Sequence, residues 1–339
     1  MTHLNLKSWF FSNKREFPWR LNRSPYRVWV SEVMLQQTRA AVVVEYFNRW
    51  MKKFPKLEDL AKASEDEVIK QWEGLGYYSR ARNLRLGAIY VVKNYSGVIP
   101  DQIEKLLKIK GLGSYTANAI LSFAFQRRAP ALDGNVMRVL SRLLAYEKEV
   151  TSSQKQLREK LFDFLPLSEP FIVMEALIEL GAMVCKKDPN CQDCPLQKMC
   201  LAFQTNQVEK FPIKKKKPPI TDLFRFVGCI ECQGAYLLKK VQKGNIMEGL
   251  WEYPYVECTD DPIPSRYIKD LESALDLELK CISPLSKQKH HFTRFRTTLY
   301  PFLFSTKEKK PIEGFTWVSQ NELTELSYPS GHRKITQNL

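Results

Sequence analysis

The spacing of apolar residues changes along this 339-residue chain, and the change limits which folds it can adopt. Up to about residue 205, apolar residues recur at intervals of three and four, the period of amphipathic helices. Beyond that, LFRFVGCIE, AYLLKKV, FTRFRTTLYPFLF and GFTWVS are typical of strands, and DLESALDLEL predicts a helix between strands. The sequence therefore predicts a mainly α region followed by a separate α+β domain.

A basic, proline-containing segment, KKKKPP at 214–219, separates the two patterns. Adjacent lysines repel one another and prolines disfavour helix, which favours an extended solvated linker. Contact of these lysines with phosphate is the secondary interpretation. We expect a helical domain over 1–205, a linker over 206–222 and an α+β domain over 223–339.

The formal net charge of +15 indicates a polyanionic partner, most often nucleic acid, whereas a basic surface kept for solubility is the alternative. No apolar stretch approaches the roughly 20 residues that cross a bilayer. The first residues lack the apolar core and cleavage site of a signal peptide. We therefore expect an intracellular protein that is neither secreted nor membrane-bound. In that setting eight cysteines indicate metal or cluster binding rather than disulfides.

Four of the cysteines form a C-x5-C-x2-C-x5-C pattern, at Cys185, Cys191, Cys194 and Cys200. Four thiolates within sixteen residues can converge on tetrahedral zinc or on a [4Fe–4S] cluster, and the spacing does not separate the two. Cys229 and Cys232 form a second C-x2-C within a predicted strand. Because residues three apart point to opposite faces of a strand, we interpret this pair as structural.

A glycine-containing turn, with Gly111 and Gly113, lies between two predicted helices, QIEKLLKI and SYTANAILSFAF. Glycine lets the backbone turn tightly and approach a phosphate closely. The following helix then presents unpaired N–H groups to that anion. An ordinary αα-hairpin is the alternative.

Two carboxylates are candidates for acid–base chemistry. Glu32 lies between large apolar residues in VWVSEVMLQQT, where burial raises a pKa and keeps a proton available near neutral pH. A glutamate on a helix surface is the alternative. Asp133 lies in LDGNVMRVL, where Asp-Gly before a helix indicates an N-cap.

These segments together resemble a known family. GLGSYT followed by Asp133 resembles the helix-hairpin-helix Gly-Pro-Asp superfamily over about residues 15–200, and SEVMLQQT resembles the signature of the adenine-excising MutY family. The cysteine loop is similar to that of endonuclease III and MutY relatives, although its first gap holds five residues rather than six. GLWEYPYVE and KHHFTRFRTTLY resemble the Nudix-like lesion-recognition domain of MutY proteins. No glutamate-rich Nudix box is found, so nucleotide hydrolysis is not expected.

The resemblance implies a catalytic set. Glu32 is then the general acid, Asp133 stabilises positive charge on the sugar, and Asn135 supports the aspartate and the catalytic water. Tyr115 stands where the lyase branch has a lysine that forms a Schiff base, and Lys110 is at the wrong hairpin position. A monofunctional enzyme follows, in which the Tyr115 hydroxyl assists at the sugar.

The resemblance also implies a DNA-binding set and a cofactor. A [4Fe–4S] cluster on the four cysteines would shape a basic loop for phosphate contact, with Lys186, Lys187 and Lys198. The residues matched to adenine, lesion-strand and hairpin contacts are Arg15, Trp19, Arg20, Glu175, Gln37, Thr38, Leu75, Tyr77, Gly111 and Gly113. The lesion loop, usually Phe-Ser-His, is Phe292-Thr293-Arg294 here. Threonine keeps the hydroxyl, and arginine adds charge that favours phosphate contact over base readout.

The function implied is hydrolytic removal of adenine mispaired with 8-oxoguanine or guanine in double-stranded DNA, after the base is flipped out of the duplex. We expect a monomer acting in the cytoplasm on the nucleoid, or in a nucleus. One alternative is a relative acting on another mismatch or on an oxidised pyrimidine. The other is a non-catalytic iron–sulfur DNA-binding protein that keeps only the scaffold.

Overall fold

The computed structural model describes residues 2–215, 219–292 and 294–339, and its contacts form two compact units. The helical unit consists of Met1–Ala63 with Asn83–Lys216, and the mixed unit of Ser64–Arg82 with Lys217–Leu339. The boundary predicted from the sequence assigned all of 1–205 to one domain. The contacts instead group 64–82 with the strand-rich C-terminal part.

Some helices begin at a residue whose side chain caps the helix, as at Ser24, Ser64 and Asp133. Pro25 occupies the first position of its helix, and the hydroxyl of Ser24 accepts a hydrogen bond from the Arg27 N–H. In chain order the helices are α1 Thr2–Asn13, α2 Pro18–Leu21, α3 Pro25–Leu35, α4 Ala40–Lys53, α5 Leu57–Lys62, α6 Glu65–Trp72, α7 Ser79–Tyr95, α8 Ile103–Leu106, α9 Ser114–Phe123, α10 Gly134–Leu143, α11 Gln154–Phe164, α12 Pro170–Met183, α13 Leu201–Gln204, α14 Pro264–Leu275 and α15 Ser330–Thr336.

The core of the helical unit surrounds α3 and α9. Trp29, Trp50 and Phe47 are fully buried, and α3 packs against α4 and α9. Helix α12 packs against α1, α9 and α10. Burying each large apolar side chain stabilises the fold by roughly 1.5–3 kcal/mol. This packing fixes the ends of α3, α9, α10 and α12 relative to one another.

The mixed unit contains one sheet. Its strands are β1 Thr221–Cys232, β2 Ala235–Lys240, β3 Trp251–Glu252, β4 Tyr255–Glu257, β5 Lys280–Pro284, β6 Gln288–Phe292, β7 Phe295–Ser305 and β8 Thr316–Ser319. The order is β3-β2-β1-β7-β5, with β4 on β1, β6 on β7 and β8 on β2, and β1 runs parallel to β7. Alternate β1 residues face two cores: Phe226 and Ile230 pack under α14, whereas Val227 and Cys229 pack with Tyr328 and α15.

Segment 64–82 is bound to this sheet domain by polar contacts. Arg333 of α15 donates to both carboxylate oxygens of Glu73, at 2.8 Å from Nε to Oε1 and 2.6 Å from Nη2 to Oε2. The Tyr328 N–H donates to the same carboxylate, and Tyr78 donates to the Tyr328 carbonyl. The loop between α6 and α7 is therefore held by the C-terminal part of the chain.

The predicted mainly α region with an α+β C-terminal domain is what the structure contains. Cys229 and Cys232 are both buried in β1, as expected for structural cysteines. Residues 216–218 of the KKKKPP segment lie outside the described residues. Within the described part of the chain, every helix is too short or too polar to cross a membrane.

Candidate active site

A cavity of about 850 Å³ opens in the helical unit where α2, α3, α9, α10 and α12 meet. Ten residues predicted from the sequence line it: Arg15, Trp19, Arg20, Glu32, Gln37, Thr38, Tyr115, Asp133, Asn135 and Glu175. These residues come from five separate stretches of the chain. The fold therefore brings the candidate adenine contacts and both candidate carboxylates to one cavity.

Glu32 projects from the buried part of α3 and is 7% exposed. Burial raises the pKa of its carboxyl to about 7, and the negative charges of Asp133 and Glu175 act in the same direction. The Tyr115 hydroxyl donates a hydrogen bond to Oε2 of Glu32 at 2.5 Å, which lowers the pKa because it favours the ionised form. A large share of the Glu32 carboxyl is therefore protonated near neutral pH.

Asp133 is the N-cap of α10. Its Oδ1 accepts from the Val136 N–H at 2.7 Å, and its Oδ2 accepts from the Asn135 side-chain amide at 2.9 Å. Burial raises the pKa of Asp133, whereas these two hydrogen bonds and the charge of Arg138 lower it. Because Asp133 also lines the cavity, capping and a role facing a substrate are compatible in one carboxylate.

Tyr115 lies in the first turn of α9. Burial raises the pKa of its phenol well above the ordinary value, and the charges of Glu32 and Asp133 add to this effect. The phenol is therefore a neutral hydrogen-bond donor across the physiological pH range. Its hydroxyl donates its hydrogen bond to the Glu32 carboxyl.

An arginine–glutamate network forms another wall of the cavity. Glu179 Oε1 accepts from Arg15 Nε at 2.6 Å, and Glu179 Oε2 accepts from Arg20 Nη2 at 2.8 Å. Glu175 Oε2 accepts from Arg23 Nη2 at 2.9 Å. Burial raises the pKa of Glu179, but its bonds with Arg15 and Arg20 outweigh burial and lower that pKa overall.

Sequence reasoning missed Arg23 and Glu179. The signal for Glu179 was available, because residues four apart on a helix share a face and Glu175 was already a candidate. Trp19 has a second role that sequence reasoning did not assign. Its ring stacks on Phe17 at a centroid distance of 4.7 Å and meets Phe47 edge-on, so it also packs the wall of the cavity.

The two candidate hairpin glycines differ in backbone conformation and in the space around them. Gly111 has φ +84°, and a Cβ there would lie 2.7 Å from the Cβ of Asn83. Gly113 has an ordinary φ of −85° as the N-cap of α9, and a Cβ there would meet nothing within 4 Å. Sequence analysis explained both glycines in the same way, by a tight turn and close approach to a phosphate. The structure shows that Gly111 is required by the protein's own packing, whereas Gly113 faces open space at a helix N-terminus.

The four cysteines of the 185–200 loop line one small cavity together with Arg142. Arg142 Nη1 lies 3.4 Å from the Cys185 sulfur, and the Cys200 thiol contacts the Arg142 carbonyl. Burial raises the pKa of Cys194 to about 11, and the other three thiols add to the rise through their negative charge when ionised. In the part of the chain that the structure describes, no three His, Cys, Asp or Glu side chains are arranged around a single metal ion. Lys186, Lys187 and Lys198 are exposed beside this loop.

The candidate lesion contacts other than Gln37 and Thr38 lie in the mixed unit. Leu75, Tyr77 and Phe292 line a cavity of about 530 Å³, and Tyr77 is 46% exposed with φ +49°. Arg294 is exposed, stacks on Phe295 and is not among the residues that line this cavity, while Thr293 lies outside the described residues.

The fold and site define a base-excision DNA repair glycosylase with an added sheet domain. The profile of HhH-GPD superfamily base excision DNA repair proteins matches residues 30–166, and that of the NUDIX domain matches residues 226–338. The chain is 37% identical to the adenine DNA glycosylase of Mus musculus and 33% identical to that of Rattus norvegicus, over 98% of this chain and 76% of each relative. A solved thermostable thymine-DNA glycosylase is 27% identical, with a TM-score of 0.56 over 60% of this chain and 95% of its own. The chain belongs to the adenine DNA glycosylase family, hydrolases of N-glycosyl bonds that act in base excision repair.

Proposed function

We propose that this enzyme, as a monomer, hydrolyses the N-glycosidic bond of adenine paired with 8-oxoguanine or guanine in double-stranded DNA, without strand cleavage. The observation that carries the proposal is that two carboxyls, the buried Glu32 and the partly buried Asp133, line the same cavity while their surroundings differ. Glu32 has one hydrogen-bond donor, Tyr115. Asp133 accepts from two donors and has Arg138 near it.

Glu32 supplies the proton. Breaking the bond leaves negative charge on the base, and protonation of a ring nitrogen makes adenine a better leaving group. A carboxyl with a pKa near 7 is protonated often enough at neutral pH to act as general acid. Tyr115 holds Oε2, which leaves Oε1 to carry the transferable proton.

Asp133 acts on the sugar. Bond cleavage builds oxocarbenium character at the anomeric carbon, and a nearby carboxylate stabilises it until water completes hydrolysis. The Val136 N–H and the Asn135 amide orient the carboxylate and favour its ionised form. The developing cation favours that form further.

The base must leave the duplex to reach these groups. A cavity of about 850 Å³ has room for an extruded purine with part of its sugar. Arg20 is held by both Glu175 and Glu179, at 3.8 and 2.8 Å, so its guanidinium is oriented before adenine arrives. We infer that Arg15, Arg20, Trp19 and Glu175 contact the flipped adenine.

The absence of lyase chemistry is inferred from Tyr115. A phenol cannot form a Schiff base with the deoxyribose, and Tyr115 occupies the cavity at the start of α9. Lys110 is exposed on the hairpin and is not among the cavity residues. Release of adenine should therefore leave an abasic site rather than a nick.

We assign the contacts with the opposite strand to Gln37, Thr38, Leu75, Tyr77 and Phe292. We assign the preference for 8-oxoguanine to the 292–294 loop. An exposed aromatic such as Tyr77 suits wedging into a base stack. The charge of Arg294 favours phosphate contact over base reading. We therefore expect both 8-oxoguanine and guanine to be accepted opposite adenine.

We infer that the cysteine loop holds a [4Fe–4S] cluster, as its resemblance to the loop of endonuclease III and MutY relatives implies. The four thiols line one small cavity, and four cysteine thiolates are the ligand set of such a cluster. Cys185, Cys191, Cys194 and Cys200 would hold the cluster, which shapes the loop bearing Lys186, Lys187 and Lys198 for phosphate contact. Anaerobic iron and zinc analysis with visible spectroscopy tests this, with Cys194→Ser as the variant and exposed Cys281→Ser as its control.

The decisive experiment measures single-turnover adenine release from duplexes with 8-oxoguanine, guanine or thymine opposite adenine. We expect release opposite 8-oxoguanine and guanine, loss of release in Glu32→Gln with duplex binding retained, and strand breaks only after alkali. No release from any duplex contradicts the proposed function, and release unchanged in Glu32→Gln contradicts the role of Glu32. Strand cleavage without alkali contradicts the monofunctional mechanism.

A further inference from the structure

Arg23 lies between α2 and α3 and lines the cavity of about 850 Å³, where it pairs with one of the candidate adenine contacts. Its Nη2 donates to Oε2 of Glu175 at 2.9 Å, and its Nε donates to the Arg20 carbonyl at 3.4 Å. Its guanidinium lies over the ring of Phe171, with Cζ 5.7 Å from the ring centroid. Arg23 is therefore held in the cavity wall by three neighbours.

The pair of Arg23 and Glu175 is poorly solvated. The two side chains are 28% and 9% exposed. Nη1 of Arg23 is buried and has no hydrogen-bond partner among the described residues, so its neighbour Nη2 makes the guanidinium's bond to a carboxylate. Breaking a partly buried ion pair leaves an uncompensated charge, which costs far more than breaking an exposed one. We therefore expect Arg23 and Glu175 to stay paired in the folded protein.

The two oxygens of the Glu175 carboxylate have different surroundings. Oε2 accepts from Arg23, whereas Oε1 lies 3.8 Å from Nε of Arg20, which is too long for a hydrogen bond. Arg20 directs its other nitrogens elsewhere, since Nη2 donates to Glu179 and Nη1 donates to the Arg15 carbonyl. Arg23 thus occupies one oxygen of Glu175 and leaves the other with unused capacity to accept a hydrogen bond.

An unused carboxylate oxygen in a base-binding cavity selects for a donor, because an ionised carboxylate can only accept hydrogen bonds. Adenine bound to deoxyribose has one N–H donor group, the 6-amino group. Purine lacks that group, and hypoxanthine carries an acceptor oxygen in its place. The negative charge of Glu175 raises the pKa of Glu32, and both carboxyls line the same cavity, so they can act on one base. A polar site rejects an analogue that leaves it unpaired, by as much as about 10⁴-fold.

We propose that Arg23 is a positioning residue for base specificity, which holds Oε2 of Glu175 so that Oε1 accepts from the 6-amino group of the flipped adenine. Arg23 acts through Glu175 and does not itself bond to the base. The inference rests on the proposed function, because it concerns the base that the same cavity removes. It assigns the selection of adenine to a fixed acceptor opposite position 6, and not to the shape of the purine alone.

The test compares single-turnover release of adenine, purine and hypoxanthine, each placed opposite guanine in the same duplex. Comparing the ratios of rates between wild type and variants cancels the intrinsic reactivity of each base. Arg23→Met removes the hydrogen bond to Glu175, and we expect the adenine-to-purine ratio to fall about tenfold or more. Arg23→Lys keeps a charged donor and should restore most of the ratio. Arg128→Met removes a guanidinium that stacks on Phe162 away from the cavity, and as the matched control it should leave the ratio unchanged.

Glu175→Gln tests the orientation that Arg23 imposes. If Arg23 donates to the amide oxygen, the amide nitrogen is left on the cavity side as a donor. The preference should then shift from adenine towards hypoxanthine, whose oxygen at position 6 accepts. Adding Arg23→Met to Glu175→Gln frees the amide to rotate, and most of that shift should disappear.

Thermal melting of each variant reports folding, and Glu175→Gln decides the matter if Arg23→Met unfolds. The proposal is overturned by an adenine-to-purine ratio that is unchanged in folded Arg23→Met, by a ratio that falls as far in Arg128→Met, or by equal slowing of all three bases in Glu175→Gln. Wild-type protein that releases adenine while the variants leave the ratios unmoved contradicts this inference alone. Wild-type protein that releases none of the three bases contradicts the proposed function.

Discussion

The Tyr115 hydroxyl donates to the Glu32 carboxylate across 2.5 Å and joins residues that lie 83 positions apart in the sequence. Burial and this hydrogen bond act on Glu32 in opposite directions. Burial raises its pKa, and the bond lowers it because it stabilises the ionised form. The fraction of Glu32 that carries a proton at neutral pH therefore depends on Tyr115.

Substitution Tyr115→Phe should move the pH dependence of adenine release. A general acid must be protonated, so release should be high below pH 7 and fall about tenfold per unit above it. Removing the phenol removes a lowering effect, so the alkaline limb should shift to higher pH. Single-turnover rates between pH 5 and 9 measure this. Tyr146→Phe, which loses a hydrogen bond to Gln156 instead, is the control. An alkaline limb that stays in place or shifts to lower pH contradicts the coupling.

Substitution Glu32→Gln should stabilise the fold at alkaline pH. The folded-state pKa of about 7 lies above the ordinary 4.5, so the contribution of Glu32 is present below about pH 4.5 and lost as pH rises through 7. Above pH 7 the buried charge costs up to about 3 kcal/mol, which a neutral amide avoids. Urea unfolding at pH 5 and pH 8 measures the difference. Equal stability of the two proteins at pH 8 would argue against a buried Glu32 with a raised pKa.

Capping by Asp133 and its proposed catalytic role can be separated by substitution. Asparagine also caps helices, so Asp133→Asn should change the free energy of unfolding little, whereas Asp133→Ala should cost about 1 kcal/mol. Both remove the charge near the sugar and should slow adenine release by about 10²–10³. Chemical unfolding and single-turnover kinetics on both variants give the two numbers. An asparagine variant with wild-type release would restrict Asp133 to capping.

Glu179 is expected to position Arg15 and Arg20 for adenine. It is 1% exposed and bonds to both guanidinium groups, so Glu179→Gln should leave two arginines without their shared carboxylate. We expect adenine release to fall about tenfold or more, with a loss of stability of about 1–3 kcal/mol. Glu169→Gln breaks an exposed pair with Lys7 and should change neither quantity. Unchanged adenine release in Glu179→Gln would show that the pairing of Glu179 with the two arginines serves the fold and not the reaction.

The hairpin glycines should respond differently to alanine. Gly111→Ala adds a Cβ at 2.7 Å from Asn83 with an unfavourable positive φ, and should destabilise the protein by about 1–3 kcal/mol. Gly113→Ala has free space and an ordinary φ, so stability should stay within about 0.5 kcal/mol. If a phosphate approaches α9 there, Gly113→Ala should still weaken duplex binding. Melting temperatures and binding titrations at several salt concentrations distinguish the two, and unweakened binding removes Gly113 from the DNA contacts.

Much of the site could be predicted because its residues carry local signals. Glu32 is flanked by apolar residues, Asp133 precedes a helix-forming segment, and four cysteines occur within sixteen residues. Glu179 could have been found from its spacing of four residues from Glu175 on one helix, whereas Arg23 was missed because nothing near it in the sequence distinguishes a cavity arginine from a solvated one. The attachment of segment 64–82 to the sheet domain, through Glu73 and Arg333, was missed for the same reason.

Local patterns in the sequence were enough to predict the helix and strand periods, the change of fold class near residue 214 and the types of chemical group available. All of these depend on residues within a few positions of one another. Only the folded chain brings Glu32 to the Tyr115 hydroxyl and pairs Glu179 with two arginines. Burial and pairing depend on atoms brought together from distant parts of the chain, and pKa values and binding geometry follow from them.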